Sequence, residues 1–354
     1  MILPRFNLPG SAKAAAVLVI ALASGYVTRA LAQTYTVTGL SSLGGPISIA
    51  AGINSTGTVV GYSTNANYVI HAVKWNGANV VDLGTLGGPV SRAYAINDEG
   101  WVAGYSTSAA GPSTHAARWN GEAATDLGTL NGITSAAYGV NHSGQLVGVS
   151  TTSNSNNHYT HATLWYNGAA IDLGTLGGIA GSANGSAATA INASGQVVGF
   201  SDIASSTAQH ATVWNRTQAV DLGTLGGNSS AAYGINAGGQ VVGQSDITGN
   251  TALHATLWSG AQVIDLGTLG GRSSSALGIN TTGQVVGNAL TGGNLQHATL
   301  WSGGKVVDLN SVVSPALAPS VTLTVAVAIN DNGQIAAYGE NNQTGEINAY
   351  LLTP

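Results

Sequence analysis

Residues 232–243 read Ala-Tyr-Gly-Ile-Asn-Ala-Gly-Gly-Gln-Val-Val-Gly, and variants of this stretch occur seven times in the chain of 354 residues. Every copy has an Asn at its fifth position and a Gly three residues later. The asparagines are Asn54, Asn97, Asn141, Asn192, Asn236, Asn280 and Asn330, at spacings of 43, 44, 51, 44, 44 and 50 residues. A period near 44 residues is typical of the four-stranded blade of a β-propeller.

Each repeat unit contains four short β-prone runs, which we name A to D. Run A ends at the shared Asn, run B resembles Val197-Val198-Gly199, run C is His-Ala-Thr-Leu-Trp or a variant, and run D is Val-Val-Asp-Leu-Gly or a variant. An Asn and a Gly three residues apart predict a tight turn from A to B, and pairs such as Asn76-Gly77 predict a hairpin from C to D. Small residues on run A, such as Ala232 and Gly234, favour an innermost strand near a crowded axis.

The two ends of the chain together complete the repeat count. The last unit stops after run C, at Asn348 to Leu352, and the segment Tyr35 to Leu40 resembles an isolated run D. The sequence therefore predicts an all-β fold: a seven-bladed β-propeller of four-stranded antiparallel blades, closed by the N-terminal strand completing the last blade. This closure leaves no open sheet edge. A β-solenoid with the same period is the alternative.

The first 32 residues predict a secretory signal peptide. Arg5 and Lys13 form a basic region, residues 14–23 are apolar, and Ala30-Leu31-Ala32 is a small-residue cleavage site. Residues 33–354 are then a single seven-bladed propeller domain, in which no apolar run is long enough for membrane insertion. We expect the protein to be exported to the periplasm or the extracellular space. The sequence has no cysteine, which excludes disulfide bonds.

Charged side chains are sparse, at 6% of the sequence. Of the 9 basic residues, Arg5, Lys13 and Arg29 lie in the signal segment, which leaves 6 against 14 acidic residues in the mature chain. Nucleic-acid binding depends on clustered Lys and Arg side chains that neutralise phosphates. The charge balance therefore argues against a nucleic-acid partner.

The combined pattern Gly-Ile-Asn-x-x-Gly-x-Val-Val-Gly, His-Ala, Trp and Asp-Leu-Gly-Thr-Leu-Gly-Gly resembles the HAF repeat, a probable extracellular repeat family. The resemblance covers residues 35–354 and is strong from Ile235 to Gly271. The Phe that follows His-Ala in the family is replaced by Val73, Ala117, Thr163, Thr212, Thr256 and Thr299, and the last unit has Asn348-Ala349-Tyr350 without a His. The resemblance implies an exported bacterial protein with a β-propeller-like fold, and it brings no established activity.

Three residue types recur in runs C and D: a His, a Trp four residues later and an Asp seven residues after the Trp. The sets are His71, Trp75 and Asp82; His115, Trp119 and Asp126; His161, Trp165 and Asp172; His210, Trp214 and Asp221; His254, Trp258 and Asp265; and His297, Trp301 and Asp308. Positions four apart in a strand share a face, and a short hairpin brings the Asp diagonally near the His. We therefore predict a structural network, with a His–Asp hydrogen bond beside a core Trp in each blade.

A ring of metal-binding histidines is the alternative. One His per blade keeps the histidines far apart, whereas a zinc ion takes about four ligands within bonding distance. No metal and no cofactor are predicted.

The segments between runs B and C vary most between units, and they share one face of the predicted disc with the D–A turns. Variable loops on a fixed scaffold are where binding usually occurs. We select Tyr68, Tyr159, Asp202 and Asp246 in these loops as candidate ligand-binding residues. The functional hypothesis is an exported, non-enzymatic binding or interaction module of unknown ligand, and an extracellular glycan or protein suits the Ser-, Thr- and Asn-rich loops.

Two other functions stay open. An extracytoplasmic hydrolase acting on glycans would need two carboxylates that converge at the propeller axis. The acidic residues outside the repeat motif, among them Asp98, Glu99 and Asp331, are scattered along the chain, so no catalytic residue is assigned. A purely structural surface or matrix protein is the second alternative.

Overall fold

The computed structural model describes residues 34–121, 123–152, 160–177, 185–204, 208–313 and 320–354. The predicted signal peptide, residues 1–32, lies outside these segments and stays a prediction. Residues from Thr34 to Pro354 belong to one compact unit. Within the described segments, no helix has the length and apolar character that a membrane span requires.

Strands dominate because the runs combine β-branched residues with the Gly and Asn of tight turns. In chain order they are β1 (Thr36–Leu40), β2 (Gly44–Ile53), β3 (Val59–Asn65), β4 (Ile70–Asn76), β5 (Asn79–Asp82), β6 (Gly87–Ile96), β7 (Val102–Ser108), β8 (Gly111–Trp119), β9 (Ala124–Asp126), β10 (Asn131–Val140), β11 (Leu146–Thr152), β12 (Thr160–Tyr166), β13 (Ala169–Asp172), β14 (Ser186–Ile191), β15 (Val197–Asp202), β16 (Gln209–Asn215), β17 (Gln218–Asp221), β18 (Gly226–Ile235), β19 (Val241–Ile247), β20 (Leu253–Ser259), β21 (Gln262–Asp265), β22 (Gly270–Ile279), β23 (Val285–Thr291), β24 (Gln296–Ser302), β25 (Lys305–Asp308), β26 (Val321–Ile329), β27 (Ile335–Asn341) and β28 (Ile347–Thr353). One turn of 3-10 helix, Leu309–Ser311, follows β25.

The strands pair as antiparallel meanders of four, and each meander follows runs A to D of one repeat unit. We call β2–β5 sheet 1, β6–β9 sheet 2, β10–β13 sheet 3, β14–β17 sheet 4, β18–β21 sheet 5, β22–β25 sheet 6, and β26–β28 with β1 sheet 7. A single parallel bridge between Ile47 and Ile347 joins sheet 7 to sheet 1. The prediction of an all-β fold built from repeated four-stranded antiparallel sheets is confirmed.

The fourth strand of sheet 7 comes from the opposite end of the described chain. β1 pairs antiparallel with β28, from Thr36 opposite Thr353 to Leu40 opposite Ala349. Tyr35, just before β1, is 1% exposed, and Leu40 at the end of β1 is 3% exposed. The strand pairing predicted from the repeat count is therefore present. Buried side chains lie at both ends of this segment, Tyr35 before β1 and Leu40 at its last residue.

At one position of strand B, the backbone of strand A lies so close that no side chain fits. A Cβ added to Gly104 would lie 1.9 Å from the carbonyl oxygen of Arg92, and one added to Gly243 would lie 1.9 Å from that of Ala231. Contacts under 3.0 Å essentially never occur for real Cβ atoms. The strand A–strand B pairing also shifts register in both sheets, which marks a β-bulge. The recurring Gly of run B is therefore required by close backbone approach.

The hydrophobic core lies between neighbouring sheets. Trp119 of sheet 2 is fully buried against Val60 and Ala72 of sheet 1. The same position buries Trp75, Trp165, Trp214, Trp258 and Trp301 against the preceding sheet. Between sheets 6 and 7 this position is Leu352, and Tyr35 is buried in the same cluster. A bulky side chain from one sheet therefore fills each junction with the sheet before it.

The shared asparagines connect the sheets around a common axis. Nδ2 of Asn97 donates to the backbone carbonyl of Asn141 at 2.9 Å. Equivalent bonds run from Asn54 to Asn97, Asn141 to Asn192, Asn192 to Asn236, Asn236 to Asn280, Asn280 to Asn330, and Asn330 back to Asn54. The sequence analysis assigned these residues to the A–B turns alone. Their amides also link neighbouring sheets, and the resulting arrangement is propeller-like.

Candidate binding site

The His and Asp of each C–D hairpin lie within hydrogen-bond distance of each other. In sheet 1, Nδ1 of His71 is 2.7 Å from Oδ2 of Asp82. The equivalent pairs are His115–Asp126, His161–Asp172, His210–Asp221, His254–Asp265 and His297–Asp308, at 2.6 to 2.8 Å. Oδ1 of Asp82 accepts the N–H of Gly84, and the other aspartates accept an N–H two residues later in the same way. Both carboxylate oxygens are thus used within the hairpin.

Asp172 shows the electrostatic effect of this network. Burial raises the pKa of Asp172, but the hydrogen bonds from His161 and from the N–H of Gly174, together with the charge of His161, outweigh burial and lower the pKa below its ordinary value. The ionised carboxylate is therefore the form that the hairpin stabilises. Within the described segments, no group of three or more His, Asp or Glu side chains is placed to hold a metal ion.

The structure places the four predicted loop residues differently from one another. Tyr68 is 75% exposed, in a turn where its N–H donates to the Asn65 carbonyl. Tyr159 lies outside the described residues. Asp202 ends β15 and is 1% exposed, and Asp246 belongs to β19. Strand B extends further than the sequence analysis expected, so both aspartates are held in strands.

A cavity of about 380 Å³ between sheets 4 and 5 contains Asp246 in its wall. Its lining residues are Phe200, Gln209, Ser229, Ser230, Ala231, Tyr233, Gln244, Asp246 and Leu253. This volume falls within the range of roughly 300–1,000 Å³ that small-molecule sites occupy. Two aromatic rings, two amides and one carboxylate in one concave surface combine apolar contact area with groups that orient a ligand.

The polar groups of this wall are fixed by hydrogen bonds. Burial raises the pKa of Tyr233, and the hydrogen bond with Gln244 only partly opposes this effect, so the Tyr233 phenol stays neutral. Oδ2 of Asp246 accepts the N–H of Ser229 at 3.1 Å. Among the described residues, no hydrogen-bond partner occupies Oδ1 of Asp246. One carboxylate oxygen is thus anchored and the other is available at the cavity wall.

Two smaller cavities lie along the axis, with volumes of about 260 and 270 Å³, and strand A of every sheet lines the first of them. The mouth on the side of the A–B turns includes Asp98 and Asp331. Oδ1 of Asp98 accepts the N–H of Ser55 at 2.8 Å, and Oδ1 of Asp331 accepts the N–H of Thr281 at 2.9 Å. Each carboxylate therefore links its turn to the turn of the preceding sheet.

Phe200, Gln209, Tyr233 and Gln244 were not among the residues predicted from the sequence. A signal was present, because the residue after the Gly of run B changes from unit to unit. In the first six units it is Tyr62, Tyr105, Val149, Phe200, Gln244 or Asn288, and in the last unit Tyr338 stands at this position after Ala337. A variable position inside a repeated strand marks a place that the fold does not constrain. The sequence alone does not show that Phe200 and Tyr233, from two sheets, line one cavity.

No family model and no curated protein matches this sequence. Among solved structures, the chain is similar to a puromycin-hydrolyzing peptidase of Mycobacterium tuberculosis, with 11% identity and a TM-score of 0.51 over 89% of this chain and 55% of that chain. It is also similar to TolB from Acinetobacter baumannii, with 12% identity and a TM-score of 0.44 over 88% of this chain and 86% of that chain. The chain spans about half the length of the peptidase. The likeness to the peptidase concerns the fold alone and supports a propeller-like, all-β repeat protein.

Proposed function

We propose that this protein is an exported, non-enzymatic binding module of the HAF-repeat type, built as a seven-bladed β-propeller that β1 closes. The three-part pattern of residues 1–32 supports export to the periplasm or the extracellular space. The pairing of β1 with β28 supports closure, as does the hydrogen bond from Asn330 back to Asn54. The repeat pattern around the His-Ala and Trp positions supports the family.

The cavity between sheets 4 and 5 is the observation that carries the binding function. It lies on the side of the B–C loops, because Gln209 and Leu253 begin strand C of sheets 4 and 5. Phe200 and Tyr233 offer ring surface, and Asp246 offers a carboxylate oxygen. A small polar group of a surface glycan or protein is the kind of ligand that such a site recognises.

The hydrolase hypothesis has one observation in its favour, since Asp98 and Asp331 lie at the same axial mouth. Their hydrogen bonds to Ser55 and Thr281 give both carboxylates a structural role between turns. Binding at the cavity is therefore the better-supported function. The activity of the similar peptidase belongs to that protein, which shares the fold at 11% identity.

The test blocks the cavity with one side chain. Ala231 faces Gln244 across strands A and B of sheet 5, and Arg92 occupies the same register position in sheet 2, so the fold accepts an arginine there. We expect Ala231→Arg to fill the cavity. Ile49→Arg is the matched control, because Ile49 faces Tyr62 at the equivalent position in sheet 1, away from the cavity.

The assay is a pull-down of surface polymers and proteins with the mature domain, followed by a glycan array. We expect captured ligands to be lost with Ala231→Arg and kept with Ile49→Arg, while both variants melt like the wild type. Capture that survives Ala231→Arg would move the site elsewhere. An empty pull-down and an empty array with folded wild-type protein would count against a binding function.

A further inference from the structure

The junction between sheets 1 and 2 repeats the geometry of the junction that holds the cavity. Tyr62 follows the run B glycine of sheet 1 and faces Ala72, as Phe200 faces Ala211 in sheet 4. Arg92 then stands at the register position of Ala231. The two junctions therefore present the same site, once with an arginine and once without it.

Arg92 occupies its junction as a ligand would. Its guanidinium carbon lies 4.4 Å from the centre of the Tyr62 ring, which is a cation–π contact. Nε of Arg92 is buried and has no hydrogen-bond partner, and among the described residues no carboxylate forms an ion pair with this side chain. The Tyr62 ring and a hydrogen bond from Arg92 to the Tyr94 phenol hold the guanidinium in place.

The junction between sheets 4 and 5 lacks the arginine and adds a negative charge. Oγ1 of Thr107 accepts the N–H of Val90 at 3.0 Å in sheet 2. Asp246 stands in the position of Thr107 and makes the same bond, to Ser229, with only one of its two oxygens. Asp246 therefore keeps the hydrogen bond from the Ser229 N–H. It also adds a second oxygen and a negative charge to the cavity that Phe200 lines.

We propose that this cavity binds the guanidinium group of an arginine side chain on a partner peptide, in the place that Arg92 fills in the junction of sheets 1 and 2. This inference rests on the proposed binding function and names its ligand class. The Phe200 ring face and the free oxygen of Asp246 are the two groups that recognise the cation. The described residues that line the cavity include no basic side chain. The excess of 14 acidic over 6 basic residues in the mature chain attracts a positive partner.

The test titrates the mature domain with three blocked tripeptides, Gly-Arg-Gly, Gly-Lys-Gly and Gly-citrulline-Gly. Citrulline keeps the shape of arginine and lacks its charge. The readout is the shift of the side-chain NH₂ resonances of Gln209 and Gln244. We expect the arginine peptide to bind at least about tenfold tighter than the citrulline peptide, a difference of about 1.4 kcal/mol. Equal affinities would overturn the proposal.

Two variants assign the recognition to its groups. Asp246→Asn keeps an oxygen for the Ser229 N–H and removes the charge, so it should reduce the preference for arginine over citrulline. Phe200→Leu keeps an apolar side chain and removes the ring, so it should weaken binding of the arginine and lysine peptides. An arginine preference of wild-type size in both variants would refute the site.

Other outcomes separate this inference from the proposed function. If glucosamine shifts the Gln209 and Gln244 resonances and the arginine peptide does not, the occupant is an amino sugar and the arginine proposal fails while binding stands. If the pull-down captures a ligand that Ala231→Arg abolishes, and no tripeptide binds, the proposal also fails and the binding function again survives.

Discussion

Removing β1 should destabilise two sheet junctions at once. We consider a chain that begins at Ser42 and so lacks Tyr35 and Leu40. Tyr35 packs with Leu352 in the core between sheets 6 and 7, whereas Leu40 packs with Trp75 in the core between sheets 7 and 1. The truncation also removes the Ser41 carbonyl, which accepts the indole N–H of Trp75 at 2.7 Å.

The expected loss follows from these contacts. Deleting a buried aromatic side chain costs about 3–5 kcal/mol, and deleting a buried Leu costs about 2–5 kcal/mol. Because Tyr35 and Leu40 lie in separate clusters, the two losses add to about 5–10 kcal/mol. The whole free energy of unfolding of a domain is about 5–15 kcal/mol. With an unfolding entropy of about 2.1 cal/mol/K per residue over the roughly 320 residues from Thr34 to Pro354, each kcal/mol lowers the melting temperature by about 1.5 °C, so the melting temperature should fall by at least about 7 °C.

Thermal melts followed by far-UV circular dichroism measure this fall. The control is a permuted chain that begins at Ser42 and carries residues 34–41 after Pro354, joined by a short Gly-Asn linker. It restores the same strand beside β28, so it should melt near the wild type. A truncated chain that melts like the wild type, or a permuted chain that melts as low as the truncated one, would refute the role of β1.

Three further predictions concern the repeated contacts. Trp119→Ala should lower the free energy of unfolding by about 3–5 kcal/mol in urea titrations, because Trp119 is fully buried, whereas Tyr166→Ala, at a site 40% exposed, should change it little. Asn236→Ala should cost about 1–3 kcal/mol, because it removes two hydrogen bonds of about 0.5–1.5 kcal/mol each: the one to the Asn280 carbonyl and the one from the Gln240 N–H. It should also speed amide exchange at Gln240, and unchanged exchange would contradict the role of the asparagine chain. For Asp172, the lowered pKa means that its contribution to stability is present above the ordinary value of 3.8 and is lost as the pH falls through the folded-state pKa. The stability difference between wild type and Asp172→Asn should therefore be constant near neutral pH and shrink below pH 3.8, and a difference that grows in acid would show the opposite sign.

The sequence predicts the repeated part of this fold well because each unit carries its own local signals. The Asn and Gly of an A–B turn, such as Asn236 and Gly239, specify a hairpin from a few neighbouring residues. Even the long-range pairing of β1 with β28 follows from counting strands. The spacing of His71 and Asp82 likewise brings their side chains within 2.7 Å across one hairpin.

The cavity could not be predicted in the same way, because it depends on side chains from two sheets and on the absence of a large side chain at position 231. Ala231 is an unremarkable small residue in the sequence, and only the comparison with Arg92 shows that it leaves space. Asp202 and Asp246 were selected as loop residues, but each still pairs with strand C, opposite Gln209 and Leu253, so strand B includes both. Packing between sheets, not local pattern, sets where these carboxylates lie.

The composite make-up of sheet 7 has a consequence for how such a protein changes over generations. β1 and β28 meet through their own backbone pairing, which no internal repeat takes part in. Duplication or loss of one repeat in the gene therefore leaves the joining pair of strands unaltered. The number of units then depends on how closely neighbouring sheets pack and on whether each asparagine amide contacts the carbonyl of the next asparagine. Related proteins can therefore differ in repeat number and keep the same pairing of their first and last strands.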